Sequence, residues 1–107
     1  MLNPNEDGIT HINVYSKGRT ELGRLLTNLA PTPFRHPDLG EFKCVEGFWY
    51  MFVTCQAQFQ QMDGWTAKRE GKKIPRVREM DKTTLKEIYL LKLQYNQRIK
   101  DLLLGLS

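Results

Sequence analysis

The chain has 107 residues, 40% of them hydrophobic and 26% charged, with a formal net charge of +4. That suffices for one domain with one modest core, and the composition is that of an ordinary globular protein rather than a disordered or disulfide-stapled one. No apolar run approaches the length of about 20 residues that spans a bilayer, and the polar, acidic opening MLNPNEDG does not read as a secretory leader. The expectation is therefore a cytoplasmic protein with no membrane partner.

Residues 1–10 read as a flexible N-terminus, with Asn-Pro and Asp-Gly as turn signals. His11-Ile-Asn-Val-Tyr15 alternates and is β-branched, which predicts a short strand. His11 reads as a surface or rim residue. Over residues 16–30, Leu22, Leu25, Leu26 and Leu29 fit a helical stripe, but Gly18 and Gly23 weaken it. A short helix or turn opening into a loop is expected, with Pro31 and Pro33 enforcing an extended path.

Phe34-Arg35-His36 and Glu41-Phe42-Lys43-Cys44 flank Pro37-Asp38-Leu39-Gly40, which is turn chemistry. A β-hairpin follows from this, with Phe42 and Cys44 on one face. Next comes the most apolar stretch of the chain. Val45, Phe48, Phe52, Cys55, Phe59 and Met62 recur at steps of three and four, which predicts one core helix over residues 45–61. Gly64 suits the left-handed position that ends such a helix. Cys44 and Cys55, both placed in regular structure, read as reduced buried thiols, without metal-ligand spacing to His11 or His36.

Residues 65–70 predict a short helix ending at Gly71, and residues 72–80, with Pro75, a connector. Asp81-Lys82-Thr83-Thr84 opens the next helix, with Thr84 and Glu87 in capping-box spacing and Leu85, Ile88, Leu91 and Tyr95 on its apolar face. Asn96 breaks the register, and residues 97–104 form a last short helix. The fold class is thus α+β: a small, mostly helical domain over residues 11–107, in which a short N-terminal strand and a β-hairpin lead into a central helix.

The net positive charge is local. Residues 68–78 carry Lys68, Arg69, Lys72, Lys73, Arg76 and Arg78 against Glu70 alone. Such a run is either a solvated loop or a seat for an anion such as phosphate or nucleic acid. The chain has no glycine-rich phosphate loop, HExxH, CxxC or nucleophile elbow. The best single candidate for chemistry is Glu46, at the mouth of the apolar helix. Trp49 and Tyr50 follow at three and four residues, over the same helix face. A carboxylate with aromatic walls suits a sugar or a base. The plainer account is an acid favoured by the helix dipole. Asn28 either shapes a turn or offers a donor and an acceptor to a ligand, and Tyr15 either packs in the core or rims a pocket.

Three pieces stand in order: Ile-Asn-Val-Tyr-Ser (12–16), Leu-Thr-Asn-Leu-Ala-Pro-Thr-Pro-Phe (26–34) and Gly-Glu-Phe-Lys-Cys-Val-Glu-Gly-Phe-Trp-Tyr (40–50). This set resembles the NADAR family, whose pattern is a strand ending in Phe/Tyr-Tyr-Ser, a Ser-Asn-Phe turn before an extended Pro-x-Phe segment, and a hairpin leading into a helix that opens Ser-Glu-His-Tyr. The Val-Glu-Gly-Phe-Trp variant is similar to that of tailed-phage proteins, and Ala-Lys-Arg-Glu-Gly-Lys (67–72) is similar to the family's short Ala/Gly-Arg element. The resemblance implies an α+β, largely helical fold and hydrolysis of N-glycosidic bonds in ribosylated substrates: riboflavin-pathway intermediates, or ADP-ribose on a base.

Glu46 matches the family's acidic position, Asn28 its Ser-Asn asparagine and Tyr15 its strand-end tyrosine. Trp49 and Tyr50 fall among its aromatic and polar helix residues, and Lys68 and Lys72 would seat a pyrophosphate. The implied scheme uses no metal and no redox cofactor. Gly47 stands where many members have His, and Val53 where many have Lys. The family's later portion, with its Trp-Gly element, has no counterpart in this chain. The first expectation is an N-glycosidase acting on an ADP-ribosyl or other ribosylated small molecule or modified base, in phage–host conflict within the host cytoplasm. The alternative is a non-catalytic phage-type protein that binds a host protein or other macromolecule through residues 68–78 and its C-terminal helix.

Overall fold

A computed structural model describes Val14 and residues 16–105. The expected strand at His11–Tyr15, Val14 apart, and the expected N-terminal flexibility lie outside the described residues. What is described is a small, mostly helical domain with a radius of gyration of 14.5 Å, in which a two-stranded hairpin leads into the central helix.

Helix α1 (Glu21–Leu25) starts at Thr20, whose hydroxyl accepts from the Gly23 N–H at 3.0 Å. The loop beyond it runs through the two prolines to β1 (Phe34–His36), which pairs antiparallel with β2 (Gly40–Phe42). His36 closes the turn, its Nδ1 accepting from the Asp38 and Leu39 N–H groups at 3.1 and 3.2 Å. The register sets Phe34 opposite Phe42. Their rings stack with centroids 5.5 Å apart, and Phe48 meets Phe42 edge-on at 5.1 Å. Phe34, Phe42, Val45, Phe48 and Ile88 form one core cluster. Tyr50, Val53, Phe59 and Ala67 form the other, and Met51, Phe52 and Met80 pack against both. Each phenylalanine fully withdrawn from water contributes about 1.5–3 kcal/mol.

The central helix is shorter than its periodicity predicts. Helix α2 covers Val45–Thr54, Cys55 turns left-handed at φ 57°, and residues Ala57–Gln61 form a separate 3-10 turn. The reason is tertiary. In a continuous helix the Val53 carbonyl would accept from residue 57. Here it accepts instead from the connector, from Val77 N at 2.8 Å and Arg78 N at 3.3 Å. The Phe52 carbonyl accepts from Arg78 Nε at 2.6 Å, and that guanidinium lies 3.8 Å from the Phe52 ring centroid. The break folds Phe59 back against Tyr50, with ring centroids 5.7 Å apart. The apolar stripe is thus divided between two elements, and Cys55 is exposed rather than buried. Cys44 is buried and caps α2, its Sγ accepting from the Gly47 N–H.

Gly64 does not end a helix but begins one. Helix α3 (Gly64–Gly71) is capped by Asp63, which accepts from Thr66 N at 2.8 Å. A Cβ on Gly64 would collide with the main chain of Leu29. Helix α4 (Lys82–Tyr95) is capped by Asp81, not by the Thr84–Glu87 pair: Asp81 accepts from both the N–H and the hydroxyl of Thr84. Ile88 and Lys92 are its buried residues, and Tyr95 is exposed. Asn96 divides it from α5 (Gln97–Leu104), donating to Pro33 O at 3.1 Å and Lys92 O at 2.6 Å. An Arg98–Glu21 ion pair at 2.6 Å joins α5 to α1. Among the described residues no helix is long and apolar enough to cross a membrane.

Candidate functional site

Glu46 is the second residue of α2, so its backbone N–H has no partner within the helix. It donates to the Asn28 carbonyl at 2.8 Å, drawing the loop after α1 onto the helix mouth. Helix α4 grips the same loop from the other side. Tyr89 donates its hydroxyl to Asn28 Oδ1 at 3.1 Å, and the Lys92 ammonium donates to the Thr27 carbonyl at 2.6 Å. With Oδ1 held by Tyr89, the Asn28 amide can offer its Nδ2 donor to a ligand.

Between these elements lies a cavity of about 520 Å³, within the range of small-molecule sites. Asn28, Glu46 and Lys68 line it together, with Lys17, Trp65 and Tyr89. Burial pushes the Glu46 carboxyl above the ordinary carboxylate range, while the charges of Lys68 and Lys72 pull it down. Lys68 also lies 5.6 Å from the Trp65 ring centroid. A partly desolvated carboxylate facing ammonium groups, an amide and an indole can accept a proton or stabilise positive charge on a bound sugar.

The other expected site residues stand elsewhere. Lys72 is exposed and outside the cavity lining, though its charge acts on Glu46. Trp49 packs against the second core cluster. Tyr50 is buried in that cluster, its ring pressed on Gly71. Burial first, and the Glu46 charge second, push the Tyr50 hydroxyl above its usual pKa, against the pull of Arg76. Tyr15 lies outside the described residues. The aromatic walls beside Glu46 therefore come from α3 and α4, as Trp65 and Tyr89, not from the next turn of α2. Glu46 lines the cavity at the mouth of α2, while Trp49 and Tyr50 of the next turn pack on the second core cluster. The signal for Trp65 was its spacing of three from Lys68 at the start of a short helix. Tyr89 and Lys92 carried no local signal.

Gly47 and Val53 each have a steric setting on α2. A Cβ on Gly47 would lie 2.7 Å from the Phe59 carbonyl oxygen, so the returning 3-10 turn leaves no room for His there. Val53 is fully buried, a position where an unpaired Lys would be costly. The basic run is also divided. Arg69 and Lys73 pair with Glu70, each at 3.4 Å, and Arg78 is bound to Phe52, while Lys68 faces the cavity. Among the described residues no group of three or more His, Cys, Asp or Glu could hold a metal ion. Comparison with family models, with curated proteins and with solved structures found no match to this chain.

Proposed function

We propose that this chain binds a ribosylated small molecule, of the ADP-ribosyl type, in the Glu46 cavity and hydrolyses its N-glycosidic bond. The observation that carries the reading is the convergence of Glu46, Asn28 and Lys68 on one cavity of ligand size. In this scheme the bond from the anomeric carbon to the base nitrogen breaks, and its electron pair leaves with the nitrogen. Glu46 stabilises the resulting oxocarbenium-like centre and takes a proton from water. The water oxygen bonds to the anomeric carbon, and the proton passes to the departing base. Asn28 holds a ribose hydroxyl, and Lys68 draws in the phosphate end.

The test has two arms. ADP-ribose should raise the melting temperature by binding linkage, and Glu46→Gln should abolish release of free base from an ADP-ribosylated nucleobase. Unchanged turnover in Glu46→Gln removes Glu46 from the reaction, and absence of any ADP-ribose shift removes the ligand. A second reading, a non-catalytic protein docking on a host macromolecule, is favoured by the exposed Leu103 and Leu104 on α5. Salt-sensitive capture of one defined partner, with no ADP-ribose shift, would support it.

A further inference from the structure

Two further cavities adjoin the Glu46 cavity, and Leu29 and Trp65 line all three. The three differ in chemistry. The Glu46 cavity carries Lys17 and Lys68, and the second carries Arg24. The third, of about 470 Å³, is walled by Leu29, Pro31, Pro33 and Trp65, with Lys43 and Asp63 also in its lining. Trp65 is 55% exposed, a large indole face left open beside an apolar recess. It is not a loosely held residue. It follows Gly64, whose lack of a Cβ lets the start of α3 press on the Leu29 main chain. That contact sets the backbone at the start of α3 beside the loop carrying Asn28.

We infer that the apolar recess beside Trp65 is the subsite for the leaving group, and that this group is an uncharged, flat heteroaromatic base stacked on the indole. The inference rests on the reading of Glu46 as the residue at the ribosyl carbon, and it deepens that reading by assigning the two ends of the substrate. The recess offers a phosphate no net positive charge, because the Lys43 ammonium in its lining is offset by the carboxylate of Asp63. Its Oδ1 accepts from Thr66 N at 2.8 Å, and hydrogen bonds from Thr66 hold its pKa below the usual range. The phosphate end goes instead to the side of Lys17 and Lys68. The base crosses the Leu29–Trp65 ridge, leaving the ribosyl unit between the two, beside Glu46. Apolar walls and an aromatic face select for π surface rather than for a hydrogen-bond pattern, so purine and pyrimidine rings are both accepted.

The test compares two probes that differ only in the base, ribose 5-phosphate and AMP, titrated against the full chain and followed by calorimetry and by Trp fluorescence in a Trp49→Phe background. AMP should bind about tenfold tighter or more, the usual advantage of one stacked base, and should quench the Trp65 emission. Trp65→Ala should lower AMP binding by about tenfold more than it lowers ribose 5-phosphate binding, since Trp65 also walls the Glu46 cavity. Trp65→Phe should restore part of the difference. Equal binding of the two probes by the wild type overturns the subsite while leaving the Glu46 reading standing. A Trp65→Ala loss that is the same for both probes also overturns it, since Trp65 would then be only a wall of the Glu46 cavity. Failure of AMP, ribose 5-phosphate and ADP-ribose alike to bind overturns both readings.

Discussion

Lys92 offers the sharpest physical test. Its side chain is 2% exposed, and its ammonium donates to the Thr27 carbonyl at 2.6 Å. Burial pushes its pKa down from 10.5 to about 8, against a small opposing pull from Cys44. Burial also raises the Cys44 pKa, so that neighbour enters the range largely as a neutral thiol. A drop of that size costs the charged form about 3 kcal/mol. The substitution Lys92→Met removes this cost but strips the Thr27 carbonyl of its closer donor, leaving Ala30 N at 3.4 Å, a loss of about 1–3 kcal/mol. At neutral pH the two nearly cancel. The pH dependence does not cancel. Between the native and unfolded pKa values the unfolded chain binds a proton that the native protein does not, so wild-type stability gains from this group as pH rises through about 8. From about pH 6.5 to about pH 9.5 the gain is about 2 kcal/mol, and Lys92→Met lacks it. Urea unfolding of both proteins at the two pH values measures it, since other titrations are common to both. A stability difference that stays constant within about 0.5 kcal/mol would refute the buried charge. The same variant should weaken ADP-ribose binding, because the turn carrying Asn28 loses one of its two attachments to α4.

Because Glu46 has a raised pKa, its negative charge is costly in the folded state, so this contribution falls as pH rises from the ordinary carboxylate range through the folded value. Glu46→Gln should therefore stabilise the protein at pH 7 relative to pH 4 in thermal unfolding. The acid limb of the hydrolysis profile should lie above the usual carboxylate range and move higher still in Lys68→Met. Gly47→Ala should destabilise by about 1–3 kcal/mol by driving a Cβ into the Phe59 carbonyl, read as a lower urea midpoint with unchanged slope. Cys55→Gly should stabilise by about 1 kcal/mol, since a left-handed residue with a Cβ is strained. In the native wild type a thiol reagent should modify Cys55 and spare Cys44.

Much of the local architecture was legible because its causes are local. The turn at residues 37–40 specified the hairpin and set Phe34 opposite Phe42. Gln97–Leu104 formed the last helix after the break at Asn96, and the short helix before Gly71 formed with Gly64 as its first residue. The candidate site was legible in part: Glu46, Asn28 and Lys68 do share a cavity. Trp49 and Tyr50 were expected beside Glu46 from helical spacing alone, but that spacing says nothing about which side of the helix the domain covers. Tertiary packing decided this by burying Tyr50 against Phe59 and Gly71.

The amino-acid sequence by itself thus determined the hairpin, the helices that follow Gly64 and the acid at the mouth of α2. Each follows from contacts within a few residues, where propensity, turn chemistry and periodicity act. Only the tertiary structure decided that α2 ends at Thr54, that Trp65 and Tyr89 wall the Glu46 cavity, and that Lys92 is buried beneath the Asn28 turn. Those outcomes depend on partners far along the chain. Val77 and Arg78 bind the last carbonyls of α2, Leu29 presses on Gly64, and α4 supplies two side-chain donors that hold residues 27 and 28. A periodic pattern continues through such a break unchanged, because the hydrogen bonds that cause the break come from residues the pattern does not contain.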